Sequence, residues 1–293
     1  MNFVFENENG EQLQLLDNSL FYLVNQAGQT QANTNISALT IGDLDGDIVT
    51  NVQTQPRTIT LTLRINPAVN VEYAKREILK IVKLKQSGML IWTQNERKLY
   101  IRGIVESVDM PRWNKAVAMQ ISMHCPIPFW ADAEETIQQI NEAIGLHYFT
   151  AHDDYTSPML FFPEGGIPLG EYDTSRSRTF YNDGDVAVGM EIEILAISNV
   201  TNPIIYDDAQ GTFFGVGYGT KQVDLQAGDY IRINTNRGQL SVVKNGTTNL
   251  MNFIVPRSTW LQLQTGQNTF RISSADQATD NMTFFLSYRR CFV

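Results

Sequence analysis

Apolar and polar residues alternate strictly along one stretch of the chain, from Arg57 to Asn66. In an extended chain this places Ile59, Leu61, Leu63 and Ile65 on one face and Thr58, Thr60, Thr62 and Arg64 on the other. The pattern predicts a half-buried strand, with one face in a core and the other in water.

A helical pattern follows this strand. After Pro67 and Asn70, apolar residues recur at spacings of three and four, at Val71, Ala74, Ile78, Ile81 and Val82. We expect one helix that ends at Gly88. Its other face carries the cations Lys75, Arg76, Lys80, Lys83 and Lys85. These cations are either a solvated face or an electrostatic contact with the acidic surface of a neighbouring subunit.

Three further strands are predicted at 89–93, 98–108 and 116–125, separated by turn residues. They form an antiparallel meander in this interpretation, and the helix covers its packed face. The run from Cys125 to Trp130 contains two prolines, which have no backbone N–H to donate to a neighbouring strand. We therefore interpret this run as a domain junction.

The length of 293 residues exceeds the usual size of one domain and favours two. We place the first at 1–130 and the second at 131–293. The last strand, 281–293, is assigned to the second domain, with a return to the first domain as the alternative.

The segment from Asn18 to Val49 is long, polar and poorly periodic. It contains few apolar residues, so we expect an arm that orders only against a partner, such as a neighbouring subunit.

Beyond the junction, Glu134 to Ile144 is predicted as a short helix, and strands and turns follow it. The turns are marked by Asp183-Gly184, Gln210-Gly211, Ala227-Gly228, Arg237-Gly238, Asn245-Gly246 and Thr265-Gly266. Short strands with regularly spaced turns of this kind are typical of a β-sandwich.

Charge is distributed unevenly between the two halves. Residues 1–130 carry 12 basic and 12 acidic side chains, so the whole net charge of −9 lies in 131–293. An acidic surface repels phosphates, which disfavours sequence-specific nucleic-acid binding. The two cysteines, Cys125 and Cys291, support no disulfide framework. No apolar run is long enough for membrane insertion and the first residues lack the pattern of a secretory signal, so we expect folding in a cytoplasm.

Candidate catalytic and metal-binding residues do not combine into a known site. The run Asp43 to Asp47 has the acidic density of a calcium loop, but its glycine stands in the wrong place. The histidines at 124, 147 and 152 lack ligand spacing. Glu191 and Glu193 share a strand face, as glycosidase carboxylates can, although exposed strand carboxylates are commoner. We therefore expect neither an enzyme nor a cofactor.

The order of these parts resembles a known family. The carriers are Asp45-Gly46, the strand from Arg57, the single helix, the run Cys125 to Trp130, Asn182 to Asp185, Asn202-Pro203, Ala227 to Ile233, Val243 to Gly246, Trp260, Gly266 to Asn268 and Tyr288 to Arg290. Taken in this order, they are similar to the distal tail proteins of tailed phages.

The resemblance implies a mainly β protein: an N-terminal belt domain, an antiparallel sheet or barrel with one helix, followed by a galectin-like β-sandwich. It also implies a homo-hexameric ring in the virion tail that joins the tail-tube protein to the tail-tip hub protein and leaves a channel for DNA. Receptor-binding proteins are further possible partners.

Two alternatives to a distal ring stay open at this point. A carbohydrate-binding module would need an aromatic platform, for which Trp260 is the candidate, although the alternation around it favours a residue inside the sandwich. A tail-tube subunit is disfavoured because it has no use for a second domain.

Five cations are candidate intersubunit contacts. They are Arg57 and Arg64, which we expect on the exposed strand face, and Lys75, Lys80 and Lys83 on the helix.

Overall fold

The computed structural model describes residues 2–29, 32–42, 45–110, 112–113, 116–139, 143–144, 171–172, 177–275 and 281–293. The chain divides into two compact units. The first comprises Met1–Glu135, Gly184–Val186 and Arg289–Val293, and the second comprises Thr136–Asp183 and Ala187–Tyr288.

Both units consist mainly of β-strands, as the sequence predicts. The elements up to Asp132 are β1 (Asn2–Asn7), β2 (Gln12–Gln14), β3 (Phe21–Ala27), β4 (Thr34–Thr40), β5 (Asp47–Thr54), β6 (Arg57–Ile65), α1 (Val71–Ile81), β7 (Ser87–Gln94), β8 (Arg97–Asp109), β9 (Arg112–Trp113), β10 (Ala116–Cys125) and β11 (Trp130–Asp132). Those that follow are β12 (Thr136–Gln139), β13 (Ala143–Ile144), β14 (Glu171–Tyr172), β15 (Ser177–Asn182), β16 (Met190–Ala196), β17 (Val200–Thr201), β18 (Pro203–Asp207), β19 (Thr212–Gly215), β20 (Asp224–Leu225), β21 (Tyr230–Asn234), β22 (Ser241–Lys244), β23 (Thr248–Asn249), a 3-10 turn (Met251–Phe253), β24 (Gly266–Ser274), β25 (Met282–Tyr288) and β26 (Cys291–Phe292).

The main sheet of the first unit has the strand order β2-β1-β7-β8-β10-β6-β3. Strands β7, β8 and β10 pair antiparallel, so the predicted meander is confirmed. Strand β6 pairs with β10 on one side and with β3 on the other, and β3 lies at the edge of the sheet.

The core of the first unit lies between one face of this sheet and helix α1. Alternation along β6 buries Ile59, Leu61 and Leu63, and α1 contributes Ala74 and Ile78. These side chains are at most 2% exposed, so the 3.6-residue period of the helix and the two-residue period of the strand meet in one apolar layer.

The helix starts where the sequence predicts, but it ends earlier. The side chain of Asn70 accepts hydrogen bonds from the N–H groups of Glu72 and Tyr73, which caps the first turn. The last helical residue is Ile81, so the prediction of an end at Gly88 was wrong. Gly88 lies in β7, where a Cβ atom would approach the Phe5 ring to 2.6 Å. Close packing therefore requires this glycine.

The segment 18–49 was expected to order only against a partner, but its described residues form strands within the single chain. Strand β3 belongs to the main sheet, and β4 and β5 pair antiparallel as a hairpin. Backbone pairing gives this segment structure despite its polar composition, and every residue of β4 and β5 is exposed.

The second unit contains the two large sheets of a β-sandwich, with the orders β12-β25-β16-β21-β22-β23 and β15-β24-β18-β19. Alternate residues of β16 are buried, and Phe180 and Phe270 pack with ring centroids 5.8 Å apart. The predicted helix at 134–144 was wrong for the described residues, because 136–139 form β12 and 143–144 form β13. The pairing of β12 with β25 stabilises a strand here, and it outweighs the weak helical periodicity of the sequence.

The C-terminal residues belong to the first unit. Strand β26 pairs with β11, which in turn pairs with β8. Arg290 forms an ion pair of 2.7 Å with the buried Asp132, and the Arg97 guanidinium lies 3.8 Å from the centre of the Phe292 ring. The last residues thus stabilise a unit whose other strands come from the beginning of the chain.

Candidate functional site

The outer face of β6, β10 and β8 is polar, and we refer to it as the polar face. It comprises Thr58, Thr60, Thr62 and Arg64 of β6, Gln120, Ser122 and His124 of β10, and Lys98, Tyr100, Arg102, Glu106, Ser107 and Asp109 of β8, together with one apolar residue, Ile104, which lies opposite His124 and is 46% exposed. Each is exposed or half-buried, because alternation turns its neighbours into the core. The register places Ser122 opposite Thr60, and their hydroxyl oxygens lie 3.4 Å apart.

Few charges lie on the polar face. Its cations are Arg64, Lys98 and Arg102 and its acids are Glu106 and Asp109, whereas most of its other members are hydroxyl, amide or imidazole side chains. Such a surface is well hydrated but offers few fixed cations to a polyanion.

The lysine candidates differ in how available their charges are. Lys75 lies on α1 and is half-buried, whereas Lys83 is exposed and follows the end of the helix, so its placement on the helix was wrong. Lys80 forms a 2.6 Å ion pair with Glu77 one turn away, and this hydrogen bond raises the pKa of Lys80. Lys80 is therefore already paired within its own helix.

Arg57 does not lie on the exposed face, so that expectation was wrong. It shares the parity of Ile59 and is only 4% exposed. Its Nη1 donates to the backbone oxygen of Gln29 at 2.9 Å, but its Nε and Nη2 are buried without a partner among the described residues. Burial accordingly lowers the pKa of Arg57.

A cleft of about 280 Å³ lies beside strand β3 and was not foreseen from the sequence. Its walls comprise Phe3, Leu16, Leu23, Val24, Asn25, Gln26, Gln29 and Trp92. Residues from β1, β3 and β7 converge here only through sheet topology, so no local sequence signal marks the cleft.

The residues considered for catalysis either form ion pairs with a neighbouring side chain or do not come together in one site. Glu191 and Glu193 both form 2.8 Å ion pairs with Arg232, so they are not a free acid and base. The thiols of Cys125 and Cys291 are free. His124 lies on the polar face, whereas His147, His152 and part of the Asp43–Asp47 run fall outside the described residues.

Within the described ranges, no group of three or more His, Cys, Asp or Glu side chains is placed to hold a metal ion. The same ranges contain no helix with the length and apolar character needed to cross a membrane.

Two family models match the two units in turn. Residues 8–125 match the phage tail protein RIFT-related domain, and residues 183–290 match the C-terminal domain of the siphovirus-type tail component of the SPP1 Dit kind. The chain belongs to the Dit family of phage tail proteins. The resemblance seen in the order of the sequence motifs is thereby confirmed.

Solved structures with the same fold include the Dit protein of phage SPP1. That structure matches with a TM-score of 0.65 and 12% identity, over 98% of this chain and 98% of the other. Two structures of the phage p2 baseplate in its activated conformation, with Ca and with Sr, match with TM-scores of 0.48 and identities of 12% and 13%, over 100% of this chain and 99% of each other chain. A comparison with curated protein sequences finds no match.

The Dit fold accounts for both units, so this family member is a structural component of the siphovirus tail. In its second unit, Trp260 packs against the buried Phe214, with ring centroids 4.9 Å apart. This contact gives the Trp260 ring a packing role within the sandwich.

Proposed function

We propose that this Dit protein forms a homo-hexameric ring at the distal end of the tail, between the tail-tube protein and the tail-tip hub protein. The ring leaves a channel through which DNA passes. Its role is structural, with no reaction catalysed, and it assembles in the cytoplasm of the host. The acidic second unit offers a surface for receptor-binding proteins.

The polar face is the observation that carries this proposal. The wall of a DNA channel must stay hydrated without retaining phosphates, because each phosphate contact made by a fixed cation adds to the affinity. A sheet face rich in Thr, Ser, Gln and His, on which Glu106 and Asp109 largely offset Arg64, Lys98 and Arg102, meets this requirement. Its opposite face is occupied by the core, so the polar face has no role in the packing of its own unit.

The cations of α1, and Lys83 just beyond its end, support the closure of a ring. A ring of identical subunits needs heterologous contacts, in which two different surfaces of the chain meet. Lys75, Lys80 and Lys83 of one subunit face the acidic surface of the next in this proposal, together with Arg64. Lys80 contributes less than the others because Glu77 already pairs with it.

The first experiment measures the mass of the purified chain by light scattering at several concentrations, followed by negative-stain imaging. We expect particles of six times the 33.1 kDa chain mass with a central hole. If the ring needs a template, these particles appear when the tail-tube protein is added. A chain that stays monomeric both alone and with the tail-tube and hub proteins contradicts the proposal.

Charge reversal tests the contact residues separately. The double variant Lys75→Glu/Lys83→Glu is expected to assemble less and to keep the monomer folded, because Lys83 is exposed and Lys75 is only half-buried. Arg237→Glu, at an exposed arginine of the second unit, serves as the control. Equal assembly of both variants rejects the assignment of α1 to the interface.

A further inference from the structure

The outer face of the four-stranded sheet β15-β24-β18-β19 carries a connected group of side chains that are half-buried or exposed. Tyr206 of β18 lies opposite Phe213 of β19, and their ring centroids are 6.0 Å apart. Arg271 of β24 lies opposite Tyr206, with its guanidinium carbon 4.3 Å from the centre of the tyrosine ring. Asp208, in the turn after β18, forms an ion pair of 3.1 Å with Arg271. We call these four residues the Tyr206 cluster.

The Tyr206 cluster lies outside the core of the sandwich. Alternation along the strands turns Ile205, Phe214 and Phe270 inward, where each is at most 1% exposed, and leaves the cluster on the opposite face. Two neighbouring aromatic rings that stay half-buried keep apolar area in contact with water. A ligand that covers this area gains free energy from the hydrophobic effect.

The ion pair fixes polar groups beside the two rings. Nε of Arg271 donates to Oδ2 of Asp208 at 3.2 Å, and Nη2 donates to Oδ1 at 3.1 Å, so the two planar groups are held side by side. A guanidinium has five N–H donors and a carboxylate has about four acceptor sites, more than this pair uses. Fixed donors and acceptors beside an apolar ring suit a ligand with hydroxyl groups on its edge and C–H groups on its face. A pyranose sugar has this composition.

Charge and surface composition favour a neutral saccharide over an ion or a protein. Arg271 and Asp208 neutralise each other, and the net charge of −9 in 131–293 repels anionic ligands. A stable protein interface buries about 1,200–2,000 Å² around an apolar centre. The other outward side chains of β15 and β24 instead carry hydroxyl or amide groups: Ser177, Thr179, Tyr181, Gln267, Thr269 and Ser273.

We propose that the Tyr206 cluster binds a pyranose unit of a neutral saccharide. The C–H face of the sugar lies on the rings of Phe213 and Tyr206, while its hydroxyl groups accept hydrogen bonds from Arg271 and donate to Asp208. Trp260, the candidate from the sequence, takes no part because it packs against Phe214. The members of the cluster are separated along the chain and meet only through the pairing of β18 with β19 and β24.

Saturation-transfer NMR of the full-length chain with the methyl glycosides of glucose, galactose and mannose tests the proposal. The method detects binding in the millimolar range, which suits a shallow site on a sheet face. We expect transfer to the ring C–H protons of at least one glycoside and much less to glucuronate, an anionic sugar. Equal transfer to glucuronate contradicts the assignment to neutral sugars.

Two variants remove the groups that bind the sugar in this proposal. Phe213→Ala removes an aromatic ring, and Arg271→Met removes the donors but keeps an apolar side chain. Each should weaken binding about ten-fold or more, because a ring contact or a charge-assisted hydrogen bond is lost. Phe285→Ala and Arg232→Met are matched controls on the outer face of the other large sheet, where Arg232 is likewise paired with carboxylates. Both controls should bind as the wild type does.

Absence of transfer from the wild type to all three glycosides overturns the proposal. Equal binding by the wild type, Phe213→Ala and Arg271→Met overturns it as well. The thermal unfolding midpoint shows whether each variant is folded. If Phe213→Ala is not, Arg271→Met decides, because its side chain is 40% exposed and its loss leaves the core intact.

This binding is independent of the proposed ring, and light scattering reports on the ring separately. A chain that assembles but binds no glycoside refutes the saccharide site alone. A chain that binds a glycoside but never assembles confirms the saccharide site and contradicts the ring alone.

Discussion

Replacement of Arg57 by methionine should stabilise the first unit. The guanidinium is buried, and its Nε and Nη2 have no partner among the described residues. Each buried unsatisfied donor costs about 1–3 kcal/mol, whereas the lost charged hydrogen bond to Gln29 contributes about 1.5–3 kcal/mol. The Gln29 oxygen stays satisfied, because the indole Nε1 of Trp130 also donates to it at 3.2 Å. The balance predicts a gain of about 1–3 kcal/mol in the free energy of unfolding.

Equilibrium urea denaturation of both proteins measures this difference. Arg64→Met, on the exposed face of the same strand, is the control and should change the free energy of unfolding by no more than about 0.5 kcal/mol. If Arg57→Met loses more than about 1 kcal/mol while the slope of the transition stays constant, the guanidinium has partners that stabilise it and the reasoning is refuted.

Three further predictions concern packing and titration. Trp260→Ala should lower the free energy of unfolding by about 2–4 kcal/mol in urea titrations, because it removes the ring that packs on Phe214; unchanged stability with lost binding on a glycan array would instead favour a saccharide platform. Phe292→Ala should cost about 1–3 kcal/mol by removing the Arg97 contact and weakening the β26 pairing, and an unaltered urea midpoint would contradict this role of the C-terminus. Since burial raises the pKa of Cys125 to about 12, the folded state holds its proton more tightly than the unfolded state, whose thiol titrates near 9. Stability from this group is therefore complete below pH 9 and falls above it, and Cys125→Ala should show a smaller loss between pH 8 and pH 10 than the wild type.

Local patterns predicted the elements in which one periodicity dominates. The alternation of β6 and the three- and four-residue spacing of α1 each identify a buried face, because the geometry of a strand or helix maps sequence spacing onto a surface. The meander was predictable for the same reason. The order of the motifs then led to the Dit family, which neither composition nor charge would have identified.

Predictions failed where tertiary contacts outweigh local preference. Gly88 allows close packing against Phe5 and does not end the helix. The residues around it in the sequence give no indication of this role. The segment after Glu134 forms strands because β25 supplies a pairing partner from the far end of the chain. The hairpin of β4 and β5 is stabilised by backbone pairing. A prediction based on the number of apolar residues does not detect such pairing.

Sequence alone was enough to predict the strands and the helix with strong periodicity, the concentration of negative charge after residue 130, and the family. Each of these depends on residues that are close in the chain or on the order of motifs along it. Three features became evident only in the fold: Arg57 is buried, the last residues belong to the first unit, and an exposed hairpin and an apolar cleft coexist on one chain. Those features arise from contacts between residues far apart in sequence, where the hydrophobic effect and strand pairing act in three dimensions.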